Sequence, residues 1–218
     1  MSKRRIVLLA LIVLVSIGAG GCGYNTLQSK QQNVRAKWSD VENQLQRRAD
    51  LVPNLVDAAK LAGVQEQEVF GQIAQARSQL LNTVNAAPQG DNGDKTPEQK
   101  QAEINAANSF GGTVGRLLSL TESYPQLRSN ENFLKLQDSL EGTENRLAVA
   151  RKDYNDSVQD YNTTRGSFPT VLSAKLYGFK EEPYFKAEAG ATQVPRFDPN
   201  ALRRNAGGGS NGGNTGGR

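Results

Sequence analysis

The chain of 218 residues has no histidine, one cysteine, one tryptophan and one methionine. Without histidine there is no imidazole general base, no Ser-His or Cys-His nucleophile and no imidazole metal ligand. The lone Cys22 excludes an intrachain disulfide and a cysteine-cluster zinc site. A nucleophile-elbow serine, an SxxK pair, a Walker A loop and a GxGxxG turn are all missing as well. Asp91-Asn92-Gly93-Asp94 lacks the spacing and closing Glu of a calcium loop, and reads as a plain loop. Glu181 and Glu182 are adjacent, so their side chains diverge and do not form a catalytic carboxylate pair. These absences predict a chain that is not an enzyme and takes no cofactor and no metal.

A net charge to speak of is also missing once the N-terminus is set aside. The formal charge is +4, but Lys3, Arg4 and Arg5 supply three of the 26 cations, leaving 23 against 22 acidic groups from Cys22 onward. The basic balance is therefore a targeting signal, and no nucleic-acid partner is expected. The apolar run Ile6–Ile17 follows those three cations, and Gly18-Ala19-Gly20-Gly21-Cys22-Gly23 follows the run. Two readings of residues 1–23 stand side by side. One is a lipoprotein signal cut before Cys22, whose thiol would then be acylated. The other is an uncleaved signal anchor over Ile6–Gly23, close to the length a span needs. Ala19 stands where a lipobox usually has Leu. Both readings hold the N-terminus in the cytoplasm and put the rest of the chain on the periplasmic or extracellular side.

From Tyr24 on, the apolar positions repeat by threes and fours, the helical period. Tyr24, Leu27, Val34, Trp38, Val41 and Leu45 form one seam. Leu55, Ala59, Ala62, Val69, Ile73, Ala76 and Leu80 form a second, interrupted by Glu66. Ile104, Ala107, Phe110, Val114 and Leu118 form a weaker third. Phe133, Leu136, Leu140, Thr143, Leu147, Ala150, Tyr154, Val158 and Tyr161 form the fourth. Pro53 predicts a turn with Asp50 as cap, or a kink, between the first two. Thr96-Pro97-Glu98-Gln99 predicts a capping box, Tyr124-Pro125 a stop, Ser129 or Asn130 a cap, and Gly166 to Pro169 a second stop. Gly111, Gly112 and Gly115 call for either a close backbone or a frayed third helix.

Four amphipathic helices joined by short connections predict an all-α, antiparallel up-down four-helix bundle over residues 24–186. A dimer of longer helices is the main alternative. A short helix is expected near Val171–Leu176, followed by an aromatic segment through Phe185 that packs back on the core. Residues 187–218 are expected to be extended and then disordered, since the Gly/Asn-rich end has nothing to bury.

Several blocks of this chain resemble the LemA family of bacterial membrane proteins. They are Gln44-Leu45-Gln46-Arg47-Arg48-Ala49-Asp50-Leu51-Val52-Pro53-Asn54-Leu55-Val56, Ala76-Arg77, Tyr124-Pro125, Leu140-Glu141-Gly142-Thr143-Glu144-Asn145, Tyr154-Asn155, Tyr161-Asn162 and Gly178-Phe179. The likeness covers roughly residues 24–186 and implies a helical bundle with membrane attachment. It implies no reaction. The chain departs from the family pattern at Ala62 and Gln65, where Tyr and His are common, and at Gly111-Gly112, and Cys22 is not something the likeness predicts.

Two sets of residues stand out as candidate sites. Cys22 is the candidate for lipidation. Arg47, Arg48, Asp50 and Asn54 form a polar corner that would dock a partner, against the plainer reading that they cap and close the end of the first helix. Asn145, Asn155 and Asn162 would line a ligand groove, against the plainer reading that they fix register or face solvent. The expected function is a membrane-tethered helical scaffold or interaction module of the cell envelope, whose partner is another protein or a second copy. An envelope ligand-binding or sensing domain is the alternative.

Overall fold

The computed structural model describes residues 3–90 and 93–186, with side chains from Gly23 onward. The lipidation candidate Cys22, the anchor's side chains and the tail expected over 187–218 all lie outside what it describes. The described residues are helical, with no strand among them. Helix α1 spans Lys3–Leu61, α2 Gln67–Val84, α3 Pro97–Ser123, α4 Glu131–Gly166 and α5 Thr170–Tyr177, and a 3-10 turn, Pro125–Ser129, precedes α4. Among the residues described with their side chains, from Gly23 onward, no helix is long and apolar enough to cross a membrane.

Of the turn and the kink that Pro53 leaves open, the turn does not form. α1 runs through Pro53 without a break, so Asp50 caps nothing. Proline has no N–H to give the carbonyl four residues back, which leaves the Ala49 oxygen without its helical donor. Arg77 on α2 replaces it: its Nε donates to the Ala49 carbonyl at 2.7 Å, and its Nη2 lies 3.7 Å from Asp50. The chain turns instead at Gly63, whose φ of 87° is easy only for glycine. There the Val64 N–H reaches the Ala59 carbonyl and the Gly63 N–H reaches that of Lys60, which is the Schellman closure of a helix end. Val64, the residue just past the turn, is buried with Ala59.

The remaining boundaries follow the local chemistry. Thr96 and Gln99 form a reciprocal capping box at the start of α3, with Pro97 in its first turn. Asn130 Oδ1 accepts the Phe133 N–H and caps α4. Gly178, with φ of 74°, ends α5.

Neighbouring long helices run antiparallel. Along α1 and α4, Lys30 pairs with Asp160, Lys37 with Asp153 at 3.4 Å and Arg48 with Glu144 at 3.0 Å. Along α2 and α3, the Tyr124 hydroxyl donates to Glu66 at 2.8 Å and Arg116 donates to Gln72 at 2.9 Å. The seams meet in one core, in which Leu27, Val34, Leu45, Leu80, Ala107, Phe110, Phe133, Leu147, Tyr154 and Tyr161 have no exposed surface. Leu117, not Leu118, is the fully buried leucine of α3. No backbone comes close to the α3 glycines: a Cβ on Gly112 or Gly115 would meet nothing within 4 Å, and one on Gly111 would touch only the Arg48 guanidinium.

Candidate functional site

Tyr-Asn occurs twice in α4, at Tyr154-Asn155 and Tyr161-Asn162. Seven residues is two helical turns, so both pairs face the same way. Past Gly178 the chain doubles back as an extended strap over residues 179–186 and lies against this face. Asn162 donates to the Glu182 carbonyl at 2.9 Å and accepts the Glu182 N–H at 3.1 Å. Asn155 does the same for Phe185, at 3.0 and 2.8 Å. The hydroxyls of Tyr161 and Tyr154 donate to the carbonyls of Lys180 at 2.8 Å and Pro183 at 2.7 Å. Arg165 donates to the Phe179 carbonyl and Asn108 to that of Lys186. An extended segment without a sheet must satisfy its backbone groups somehow. Here each Asn amide, with one donor and one acceptor face, takes the place of a neighbouring strand.

Two side chains of the strap turn inward. Glu182 meets Lys100 of α3 at 2.8 Å, both side chains being 6% exposed. Phe185 lies beneath the Arg151 guanidinium at 4.4 Å and near Trp38, whose ring also tilts against Tyr154 at 4.9 Å. Burial, with Glu182 nearby, pushes the Tyr161 hydroxyl up to about 12 and that of Tyr154 still higher. Both therefore stay neutral donors at any physiological pH.

A second polar centre ties α1, α2 and α3 together. Lys95, just before α3, reaches Glu42 and Glu103 at 2.6 Å each and donates to the carbonyls of Thr83 and Val84 at the end of α2. Those carbonyls lie in the last turn of α2, where a cation is favoured. Glu103 is fully buried and its Oε1 has no partner. Burial is the main cause raising its pKa to about 7. Lys95 pulls it back and Glu42 adds to the rise. A third cluster sets Glu144 against Arg48 and Arg151, and burial holds both arginines below their ordinary range.

The partner-docking corner is divided by the fold. Arg47, Asp50 and Asn54 are exposed on one face of α1, while Arg48 is buried beneath it against Glu144 and the Phe110 ring. Glu181 and Glu182 diverge: Glu181 is exposed near Arg165 and Glu182 is buried. Asp94 of the acidic loop pairs with Arg35. Sequence reasoning missed Lys95, Lys100 and Glu103 altogether. It read Asn155 and Asn162 as register or surface groups or as the lining of a ligand groove, and they bind the strap's backbone instead, for which the Tyr-Asn repeat was a usable signal. Among the described residues no group of three or more His, Cys, Asp or Glu could hold a metal ion.

The blocks quoted above thus have physical work: Pro53 frees the carbonyl that Arg77 fills, and the Tyr-Asn pairs grip the strap. The LemA family model matches residues 37–198, most of the chain and all of these features. The chain belongs to the LemA family. Its relatives include magnetosome proteins MamQ 1 and MamQ 2 of Paramagnetospirillum magneticum, each 28% identical over 184 residues, spanning 78% of this chain and 68% of the relative. Magnetosome protein MamQ of Magnetospirillum gryphiswaldense is 27% identical over the same length. LemA membership accounts for the all-helical fold.

Proposed function

We propose that this LemA-family chain is a membrane-tethered, non-enzymatic helical scaffold of the bacterial envelope, with its bundle on the periplasmic or extracellular side. The observation that carries the reading is the continuity of α1. One helix starts at Lys3, contains the apolar run Ile6–Ile17 and goes on into the core, so whatever holds the run also orients the bundle. The pairings of α1 with α4 and of α2 with α3 support an up-down arrangement of the four long helices. The buried charges Lys100–Glu182 and Lys95–Glu103 face one another in bridges that tie separate elements together, which is a structural use of charge. Surface confinement raises effective concentration, so weak contacts with a protein partner or a second copy suffice. The exposed Arg47, Asp50 and Asn54 are the docking face of this reading, and Cys22 its candidate lipid attachment point.

A ligand-binding role is the second reading. It is favoured by an open groove of about 260 Å³ bordered by Tyr24, Gln28, Gln31, Thr96, Tyr177 and Phe179. The groove is polar and falls below the usual size of ligand sites, which starts at about 300 Å³. Cross-linking mass spectrometry on the full chain in native membranes separates the readings. Cross-links between copies or to one envelope protein, reaching the Arg47–Asn54 face, are expected. A chain that cross-links to nothing, or that is not recovered with the membrane, overturns the scaffold.

A further inference from the structure

Helix α5 leaves an apolar face with no partner in the fold. Leu172 and Leu176, one helical turn apart, are 62% and 77% exposed, and Phe168, in the turn just before the helix, is 82% exposed. The opposite face is packed, with Ser173 and Ala174 buried. We propose that this face is a membrane foot: it inserts among the headgroups of an anionic lipid surface and holds the bundle against the bilayer. The proposal rests on the membrane tether put forward above.

Position is the first argument. α5 packs against α1 at Gly23, so closely that a Cβ there would come within 2.7 Å of the Ser173 hydroxyl. Tyr24 extends the contact, its ring 4.8 Å from that of Tyr177 and 5.7 Å from that of Phe179. α1 is one helix from Lys3, so Ile17, the last residue of the apolar run, lies about 9 Å along the axis from Gly23 at about 1.5 Å per residue. The headgroup layer on each side of the hydrocarbon is about 5–8 Å deep. A tether through Ile6–Ile17 therefore sets the α1–α5 contact at the outer edge of the headgroup layer, within reach of outward side chains.

Charge is the second argument. Between Asp160 and Glu181 there is no acidic residue, whereas Arg165, Lys175 and Lys180 are basic. Lys175 shares the outward face with Leu172 and Leu176, so its stem can lie in the apolar layer while its ammonium meets lipid phosphate. Tyr24 and Tyr177 are partly exposed beside it, as rings at a membrane interface are. Eight residues would bind a bilayer weakly alone, and the tether makes the contact intramolecular.

The test uses the full-length chain carrying Leu172→Trp, with Leu176→Trp as a second probe and Val149→Trp as a control. Val149 is 61% exposed on α4, far along the bundle from α5. Each protein is reconstituted into phosphatidylethanolamine–phosphatidylglycerol vesicles, with or without brominated acyl chains, and floated on a gradient. The expected result is flotation in every case, with blue-shifted emission at 172 and 176 that brominated lipid quenches strongly. The 149 probe and the buried Trp38 keep their emission. Flotation without quenching at 172 and 176 overturns the foot and leaves the tether standing. Failure to float overturns both. A blue shift that brominated lipid does not quench, and that grows with protein-to-lipid ratio, assigns the face to a second copy and also overturns the foot.

Discussion

The two helix pairs differ in what is added to their apolar seams. α1 and α4 share an apolar seam that includes Trp38 against Tyr154, with partly exposed ion pairs at its edge, and to it is added the strap, laced onto α4 through side-chain-to-backbone bonds. α2 and α3 rest on an apolar seam of Ile73, Leu80, Ile104, Phe110 and Leu117, with Tyr124–Glu66 and Arg116–Gln72 at its margin. Apolar burial is non-directional, whereas buried hydrogen bonds fix one geometry and penalise others. The α1–α4 pair thus carries the chain's specificity, and α2–α3, with three glycines in α3, is the pair that should open first.

Lys95 binds the two pairs to each other alongside Arg77–Ala49 and Arg48–Phe110, and losing it is the severest test of the contrast. Lys95→Ala leaves Glu42 and the fully buried Glu103 facing each other without a cation and takes the donor from two carbonyls of α2. Breaking a buried pair in this way costs about 3–5 kcal/mol. The expected outcome is a large drop in denaturation midpoint, partly recovered when Glu103→Gln is added. A loss below about 1 kcal/mol would mean that the pairs hold together without this joint.

The strap tests the polar side of the comparison. Asn155→Ala or Asn162→Ala strands one N–H and one carbonyl of the strap, at about 1–3 kcal/mol each. Hydrogen exchange should rise steeply at the amides of Phe185 and Glu182 and little in α2. Equal rises in both places would show that the two halves unfold as one unit.

How far the sequence reveals this contrast depends on the kind of bond. Seam positions repeat in sequence, and nearly every one of them is buried. Capping chemistry is local, so Thr96, Gln99 and Asn130 could be read directly. Pro53 left a turn and a kink both open, because what decides between them is distant: Arg77, 28 residues away, supplies the donor for the freed carbonyl and the helix continues. The true break was visible in Gly63, a glycine at the end of an apolar run. Lys100 was illegible, since its partner Glu182 stands 82 residues on and nothing local marks a buried lysine.

The ionisation of Glu103 gives a pH-dependent view of the joint. Its pKa is raised from 4.5 to about 7 by burial. Between those values the folded chain keeps a proton that the unfolded chain has released, so folding stability falls as pH rises, and the loss is complete above about pH 7. Below 4.5 both states are protonated and the effect vanishes. Relative to Glu103→Gln, the wild-type chain should lose on the order of 2 kcal/mol between pH 5 and pH 8. A gap that does not change with pH would show Lys95 holding the carboxylate charged throughout.

The smallest effect bears on the weaker pair. A Cβ at Gly112 or Gly115 would meet nothing, and one at Gly111 would make only ordinary contact, 3.5 Å from an Arg48 nitrogen. In a helix interior, Gly→Ala then lowers backbone entropy in the unfolded chain and should stabilise by about 0.5–1 kcal/mol per site. Gly112→Ala with Gly115→Ala should raise the denaturation midpoint and slow exchange in α3, narrowing the difference between the halves. Because both sites are open in the isolated fold, these substitutions also probe what meets α3 in the cell. If the variant is more stable in solution yet loses its cross-links in the membrane, the glycines are there to let another surface approach this helix, and the looser pair is the one that receives the partner.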